Sequence, residues 1–123
     1  MLGAGISNGS FSGVFNIDSF TADGDANING LHYVNSTVTV GTTNPVTLQR
    51  GDILLSTKDS ETLGGVAVTN RDVVLFRPTT QGDYSAGSFS LLLRNPGNTG
   101  SNVRDFALVE TAMTIGSMSL QAG

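Results

Sequence analysis

The chain has 123 residues, a formal net charge of −4 and no cysteine. That length fits one domain able to bury roughly two-thirds of the surface its unfolded chain exposes, and the missing thiols exclude a disulfide scaffold and zinc–thiolate sites. Ser, Thr, Asn and Gly supply 53 of the residues, a mixture that is costly inside helices and suited to strands joined by tight turns.

Residues 1–10 are Gly- and Ser-rich and are predicted as a flexible N-terminal arm ahead of one domain over 11–123. Phe11-Ser12-Gly13-Val14-Phe15 is the first candidate strand, and Asp23-Gly24-Asp25 marks a turn. Strands are predicted over 27–34 and 37–40, then, after Gly41-Thr42-Thr43-Asn44-Pro45, over 46–49. Asp52-Ile53-Leu54-Leu55-Ser56-Thr57 follows, then Val66-Ala67-Val68 after Gly64-Gly65. Val73-Val74-Leu75-Phe76 and Leu91-Leu92-Leu93 are apolar on both faces, which predicts central strands or strands covered by another subunit. Val103 to Val109 fits a strand, with a short helix as the alternative because Val103, Phe106 and Val109 sit three apart. Met113 to Leu120 completes the chain. About ten short strands at this spacing predict an all-β fold, an antiparallel, jelly-roll-like β-sandwich open to completion by a strand from a neighbouring subunit.

The chain partly repeats itself, 9–51 resembling 87–123. Gly9-Ser10-Phe11-Ser12 returns as Gly87-Ser88-Phe89-Ser90, and Asn27-Ile28 with Leu31 and Val34 returns as Asn102-Val103 with Phe106 and Val109. Val38-Thr39-Val40-Gly41 returns as Met113-Thr114-Ile115-Gly116, and 46–51 returns as 118–123. The order is preserved at offsets of 72 to 78 residues. Either the two copies share one sandwich, or a neighbouring chain supplies the strand that the second copy lacks.

Asn27-Ile28-Asn29-Gly30-Leu31-His32-Tyr33-Val34, Gly51 to Thr57, Leu63-Gly64-Gly65-Val66 and Arg71 to Thr79 resemble repeat modules of large, poorly characterised bacterial secreted and surface proteins. The likeness covers about 25–110 and rests on small-residue motifs. The chain departs from that pattern at Leu93-Arg94-Asn95-Pro96, where an Asp/Gly-rich stretch would be expected. The resemblance implies an extracellular or cell-surface location and a structural or adhesive role.

Little in the sequence suggests a reaction. Asp23, Asp25 and Asn27 have the alternating oxygen ligands of a calcium loop, but Ile28 and Val34 stand where such a loop needs Gly and Glu. An Asx-type turn is the competing reading, and no other cofactor is expected. His32 is the sole histidine and is expected to be a hydrogen-bonded or solvent-facing strand residue. Glu61 and Glu110, the two glutamates, abut turns with nothing to pair them across a cleft as a glycosidase would require. Arg50, Arg71 and Arg104 lie near Asp52, Asp72 and Asp105 and are expected to form surface or cross-strand ion pairs. Tyr33, Tyr84 and Phe20 are either a sugar-binding platform or scattered core aromatics.

No basic footprint for nucleic acid and no apolar run of membrane-spanning length is present. Residues 1–5 lack the basic start and apolar stretch of a signal peptide, so the chain is expected either to bypass that export route or to be a mature or excised piece. The expectation is a non-enzymatic structural subunit, a homo-oligomer or homopolymer of an extracellular filament, sheath or surface assembly. Its strand contacts are placed at Gly9, Phe11, Val14, Phe15, Leu91 and Leu93. A virion decoration or fibre protein and a carbohydrate- or calcium-dependent adhesin are the alternatives.

Overall fold

The two most apolar runs of the sequence become the two inner strands of one antiparallel sheet. A computed structural model describes residues 9–10, 12–95 and 102–123. Its strands are β1 (Ile28–Tyr33), β2 (Val38–Val40), β3 (Val46–Leu48), β4 (Ile53–Thr57), β5 (Glu61–Leu63), β6 (Val66–Val68), β7 (Asp72–Thr80), β8 (Asp83–Arg94), β9 (Met113–Ile115) and β10 (Met118–Leu120). The protein is therefore all-β, with one short 3-10 helix at Ile17–Phe20. The main sheet has the order β1-β4-β7-β8, and β2–β3, β5–β6 and β9–β10 are separate hairpins.

Strand periodicity explains why β4 and β7 need no polar face. Alternate side chains leave a strand on opposite sides. Ile53 and Leu55 of β4 join Val74 and Phe76 of β7 on one face, with Leu63 and Val68 of the β5–β6 hairpin laid over them. Leu54, Val73 and Leu75 point the other way, into a second cluster closed by Val34 and by Val38 and Leu48 of the β2–β3 hairpin. Each face of the sheet is thus covered by a hairpin, not by a second broad sheet. Sheet positions that are buried on both sides can be apolar throughout.

Phe76 is fully buried at the centre of the first cluster. Its ring lies 4.9 Å from Phe89, 5.0 Å from Phe15 and 5.2 Å from Phe20, centroid to centroid, all at tilted or edge-on angles. Gly87 makes this possible. A Cβ there would run into the Phe76 ring and the Arg77 carbonyl oxygen.

Several segments differ from the sequence expectation. Residues 12–15 are irregular instead of a strand, and Phe11 lies outside the described residues, as does residue stretch 1–8 of the predicted arm. Phe15 packs inward on Phe76 and Phe20. β5 was not expected, and its link to β6 is a two-residue turn with positive φ at both Gly64 (+54°) and Gly65 (+88°). The segment 103–109 is neither strand nor helix, because no strand runs beside it among the described residues. Met113 to Leu120 is a hairpin, and it copies the pairing of β2–β3. Val38 faces Leu48 as Met113 faces Leu120, and Val40 faces Val46 as Ile115 faces Met118. No helix of the described residues is long and apolar enough to cross a membrane.

Gly87→Ala is expected to cost about 1–3 kcal/mol through overpacking, and Phe76→Ala about 3–5 kcal/mol through the cavity it leaves. Urea unfolding monitored by circular dichroism checks both. An unchanged midpoint for Gly87→Ala would show that the contact relaxes freely.

Candidate functional site

Two carboxylates enter the core at the starts of the inner strands. Asp52 is 2% exposed and Asp72 0%. Each closes the turn that leads from a hairpin into a central strand. Asp52 Oδ2 accepts from the Gln49 N–H at 2.8 Å, and the Asp52 N–H donates to the Gln49 carbonyl. Asp72 repeats both bonds with Thr69, again at 2.8 Å for the side chain. A burial this deep demands a counter-charge. Arg77 Nε donates to Asp52 Oδ1 at 2.9 Å and its Nη2 to Oδ2 at 2.6 Å. Arg94 grips Asp72 with the same two nitrogens. The remaining reach of each guanidinium goes to a hairpin carbonyl, Thr47 for Arg77 and Ala67 for Arg94.

These two clips are one device used twice, with the aspartates, turn residues and hairpin carbonyls 20 residues apart and the arginines 17 apart. The sequence reading placed the right aspartates in ion pairs but chose arginines adjacent in the chain. The partners are set by register across strands, where Asp72 lies opposite Arg94 and Ile53 opposite Phe76. Burial by itself would raise the Asp72 pKa, but the Arg94 hydrogen bond, the Thr69 N–H and hydroxyl, and the Arg94 charge outweigh it and hold the carboxyl below its ordinary value.

A third carboxylate fastens the C-terminal part. Glu110 accepts hydrogen bonds from the Asn35 N–H at 2.9 Å, the Ser36 N–H at 2.7 Å and the Ser36 hydroxyl at 2.9 Å. His32 Nε2 lies 2.8 Å from its other oxygen. Desolvation opposes ionisation here, yet the Asn35 N–H, His32 and both Ser36 donors prevail and lower the pKa from 4.5 to about 2. His32 is therefore hydrogen-bonded, and the bond joins β1 to residue 110. The same segment seats Phe106 against Gly30, 3.1 Å from a Cβ built there, and Val103 accepts from the Ser56 hydroxyl.

The calcium candidates Asp23, Asp25 and Asn27 sit in an exposed bend with Gly24 at φ +66°. Asn27 Nδ2 donates back to the Asp25 carbonyl at 3.2 Å, a side-chain-to-backbone bond opposite in direction to an Asx turn, in which the side-chain oxygen accepts from the N–H two residues on. No group of three or more His, Asp or Glu side chains among the described residues is arranged to hold a metal ion. Burial, then the charges of Asp23, Asp25, Asp59 and Asp18, push the Glu61 carboxyl up. Of the sugar-platform candidates, Tyr84 is buried with its hydroxyl on the Gly51 carbonyl, and Phe20 packs on Phe15, Phe76 and Phe89. Tyr33 alone of the three is exposed.

The expected contact residues divide. Val14 (65% exposed) and Leu93 (59%) stand out into solvent, Leu91 less so, and Gly9 is exposed. Phe15 is half-buried within the chain, and Phe11 is not among the described residues. The sequence reading missed Met113, Ile115 and Met118, which are exposed side by side on the β9–β10 hairpin. Their signal was present, since the counterparts Val38, Val40 and Val46 belong to a core cluster. No protein-family model, curated protein or solved structure matches the chain.

Two outcomes follow from these carboxylates. Arg77→Ala strands a buried carboxylate and is expected to lower unfolding free energy by about 2–4 kcal/mol, whereas Arg50→Ala changes it by less than about 0.5 kcal/mol; chemical denaturation of both variants decides. The folded-state pKa of Glu110 lies below its unfolded value, so its stabilisation is complete above about pH 4.5 and is lost as pH falls toward about 2. Glu110→Gln should flatten that part of the stability profile. Superimposable profiles for the variant and the parent would refute the assignment.

Proposed function

We propose that the chain is a non-enzymatic structural module of an extracellular filament, sheath or surface assembly, joined to its neighbours through β-strand contacts. The observation that carries this reading is the outer edge of β8. Among the described residues β8 pairs only with β7. It is the longest strand, with 12 residues, and it carries no charged side chain between Asp83 and Arg94. Natural edge strands are normally short, bulged or guarded by charge, above all by lysine, because an unpaired row of N–H and C=O groups recruits further strands; β8 shifts register against β7 at Val73/Val74 and Pro78/Thr80, but it is neither short nor charged between its two ends. The chain has a single lysine, Lys58, and it lies beyond the end of β4. Leu91 and Leu93 on the same strand add apolar surface.

The other features agree. Among the described residues Asp52, Asp72 and Asp83 bond turns and Glu110 latches residues 32–36, which supports a structural use of these carboxylates. The resemblance to repeat modules of secreted and surface proteins supports an extracellular location in this reading.

The test is the size of the purified chain by light scattering and negative-stain microscopy. Oligomers or filaments are expected for the parent, and Leu91→Lys/Leu93→Lys is expected to yield a folded 12.7 kDa monomer. A parent chain that stays monomeric at every concentration would sink the reading.

A further inference from the structure

The first of the two clips leaves part of its arginine unused, and the same arginine lines a polar groove. Arg77 Nε and Nη2 are taken by Asp52 and the Thr47 carbonyl. Nη1 meets no acceptor among the described residues, and the side chain is 37% exposed. Asp52 is 2% exposed and bonded through both oxygens, so it holds the guanidinium in one orientation before any ligand arrives. The groove is a cavity of about 610 Å³ between the β2–β3 hairpin, the turn into β4 and the end of β7. That volume lies within the roughly 300–1,000 Å³ range of small-molecule sites.

The lining has a definite chemistry. Arg50 stands in it, and Gln81 Nε2 donates to the Arg50 carbonyl at 3.1 Å, which ties the turn after β7 to the turn before β4. The ion pairs among the described residues are His32–Glu110, Arg77–Asp52 and Arg94–Asp72, so the Arg50 charge has no carboxylate partner there. Two guanidinium groups thus face one carboxylate in a chain whose net charge is −4. The rest of the described lining is hydroxyl and carboxamide groups, with Pro78 its one apolar member. The clip itself does not require Arg50. In the second clip Asn70 holds the corresponding place, and the cavity beside Thr69 is lined by Asp23 and Glu61 with no described arginine or lysine.

We propose that this groove binds a hydroxylated carboxylate, of the kind carried by a uronic-acid unit of an acidic polysaccharide. Arg50 and the Nη1 of Arg77 donate to the carboxylate oxygens, whose planar geometry matches a guanidinium fork. The Thr37 and Thr79 hydroxyls and the Gln49 and Gln81 carboxamides bond the sugar hydroxyls. A groove with so little apolar surface offers an amino-acid side chain nowhere to bury, which favours a sugar acid over an acidic peptide. Asp52 does not repel the ligand, because its charge is buried and already matched by Arg77. No residue of β8 lines the groove, so the site goes beyond strand-mediated assembly and does not depend on it.

The probe is sodium glucuronate, titrated into the full chain at constant ionic strength while backbone amide resonances are followed. Saturable shifts are expected at Gln49, Arg50, Thr79 and Gln81, with a Kd of about 1–10 mM. Glucose lacks the carboxylate and acetate lacks the hydroxyls, so each should bind at least about tenfold more weakly. Arg50→Ala leaves the clip intact and should weaken glucuronate binding about tenfold or more with the rest of the spectrum native. Sulfate or acetate acting as strongly as glucuronate would reduce the effect to charge attraction and overturn the proposal. Tighter binding of a capped aspartate than of glucuronate would overturn it in favour of an acidic peptide. An absence of saturable shifts, or shifts unchanged in Arg50→Ala, would overturn it outright.

Discussion

Asp52 and Asp72 carry charge to the starts of inner strands that are apolar on both sides over Ile53–Leu55 and Val73–Phe76, and the layout of the chain follows from how that charge is held. A carboxylate this deep is tolerable only with its oxygens fully bonded. Each receives a backbone N–H from three residues earlier, which fixes the turn out of the preceding hairpin. Each receives a two-pronged arginine from the next strand, which fixes the register of the sheet. One small network therefore sets where a hairpin ends, where a central strand begins and which residue of the neighbouring strand lies opposite. Because central strands leave their turns in alternate directions, the β2–β3 and β5–β6 hairpins land on opposite faces and seal both.

How much of this was legible depended on how local the cause was. Composition marks Val73-Val74-Leu75-Phe76 and Leu91-Leu92-Leu93 as central or subunit-covered strands; within the chain the first is central, but the second lies on the edge strand β8, and Ile53-Leu54-Leu55 takes the other inner place. Glu61-Thr62-Leu63 has one apolar residue and gives no strand signal; the pair Gly64-Gly65 and its partner Val66-Ala67-Val68 make it one. The choice of Arg77 over Arg50 for Asp52 is a fact of register, invisible to chain proximity. The 20-residue repeat is faint in letters: 46–55 and 66–75 share Val46/Val66, Asp52/Asp72 and Leu55/Leu75, with apolar residues at 48/68, 53/73 and 54/74, and the turns themselves differ in sequence while keeping the same hydrogen bonds. The candidate site was legible in part. Val14, Leu91 and Leu93 are exposed, but Phe15 was claimed by the Phe76 ring cluster, and the bare hairpin read as an ordinary strand because its sequence resembles a buried one.

Similar apolar hairpins are used in two different ways in this chain. The β2–β3 hairpin and the β9–β10 hairpin have the same pairing and similar side chains, yet one is core and the other surface. Hydrophobic burial is not directional, so the difference lies only in whether a pair of central strands is present opposite. The same kind of hairpin therefore contributes to stability in one place and leaves apolar surface in water in the other.

The Glu110 latch bears on the order in which the molecule folds. It ties residue 110 to residues 32, 35 and 36, separations of 74 to 78 positions, whereas each aspartate clip spans 25 positions or fewer. Chain closure over longer loops costs more entropy and tends to come later. The main sheet with its two sealed hairpins can form first, leaving 102–123 to dock last and to open first. The exposed β9–β10 hairpin thus belongs to a segment held through contacts distant in sequence, so it can detach and re-dock without unfolding the sheet that supports it.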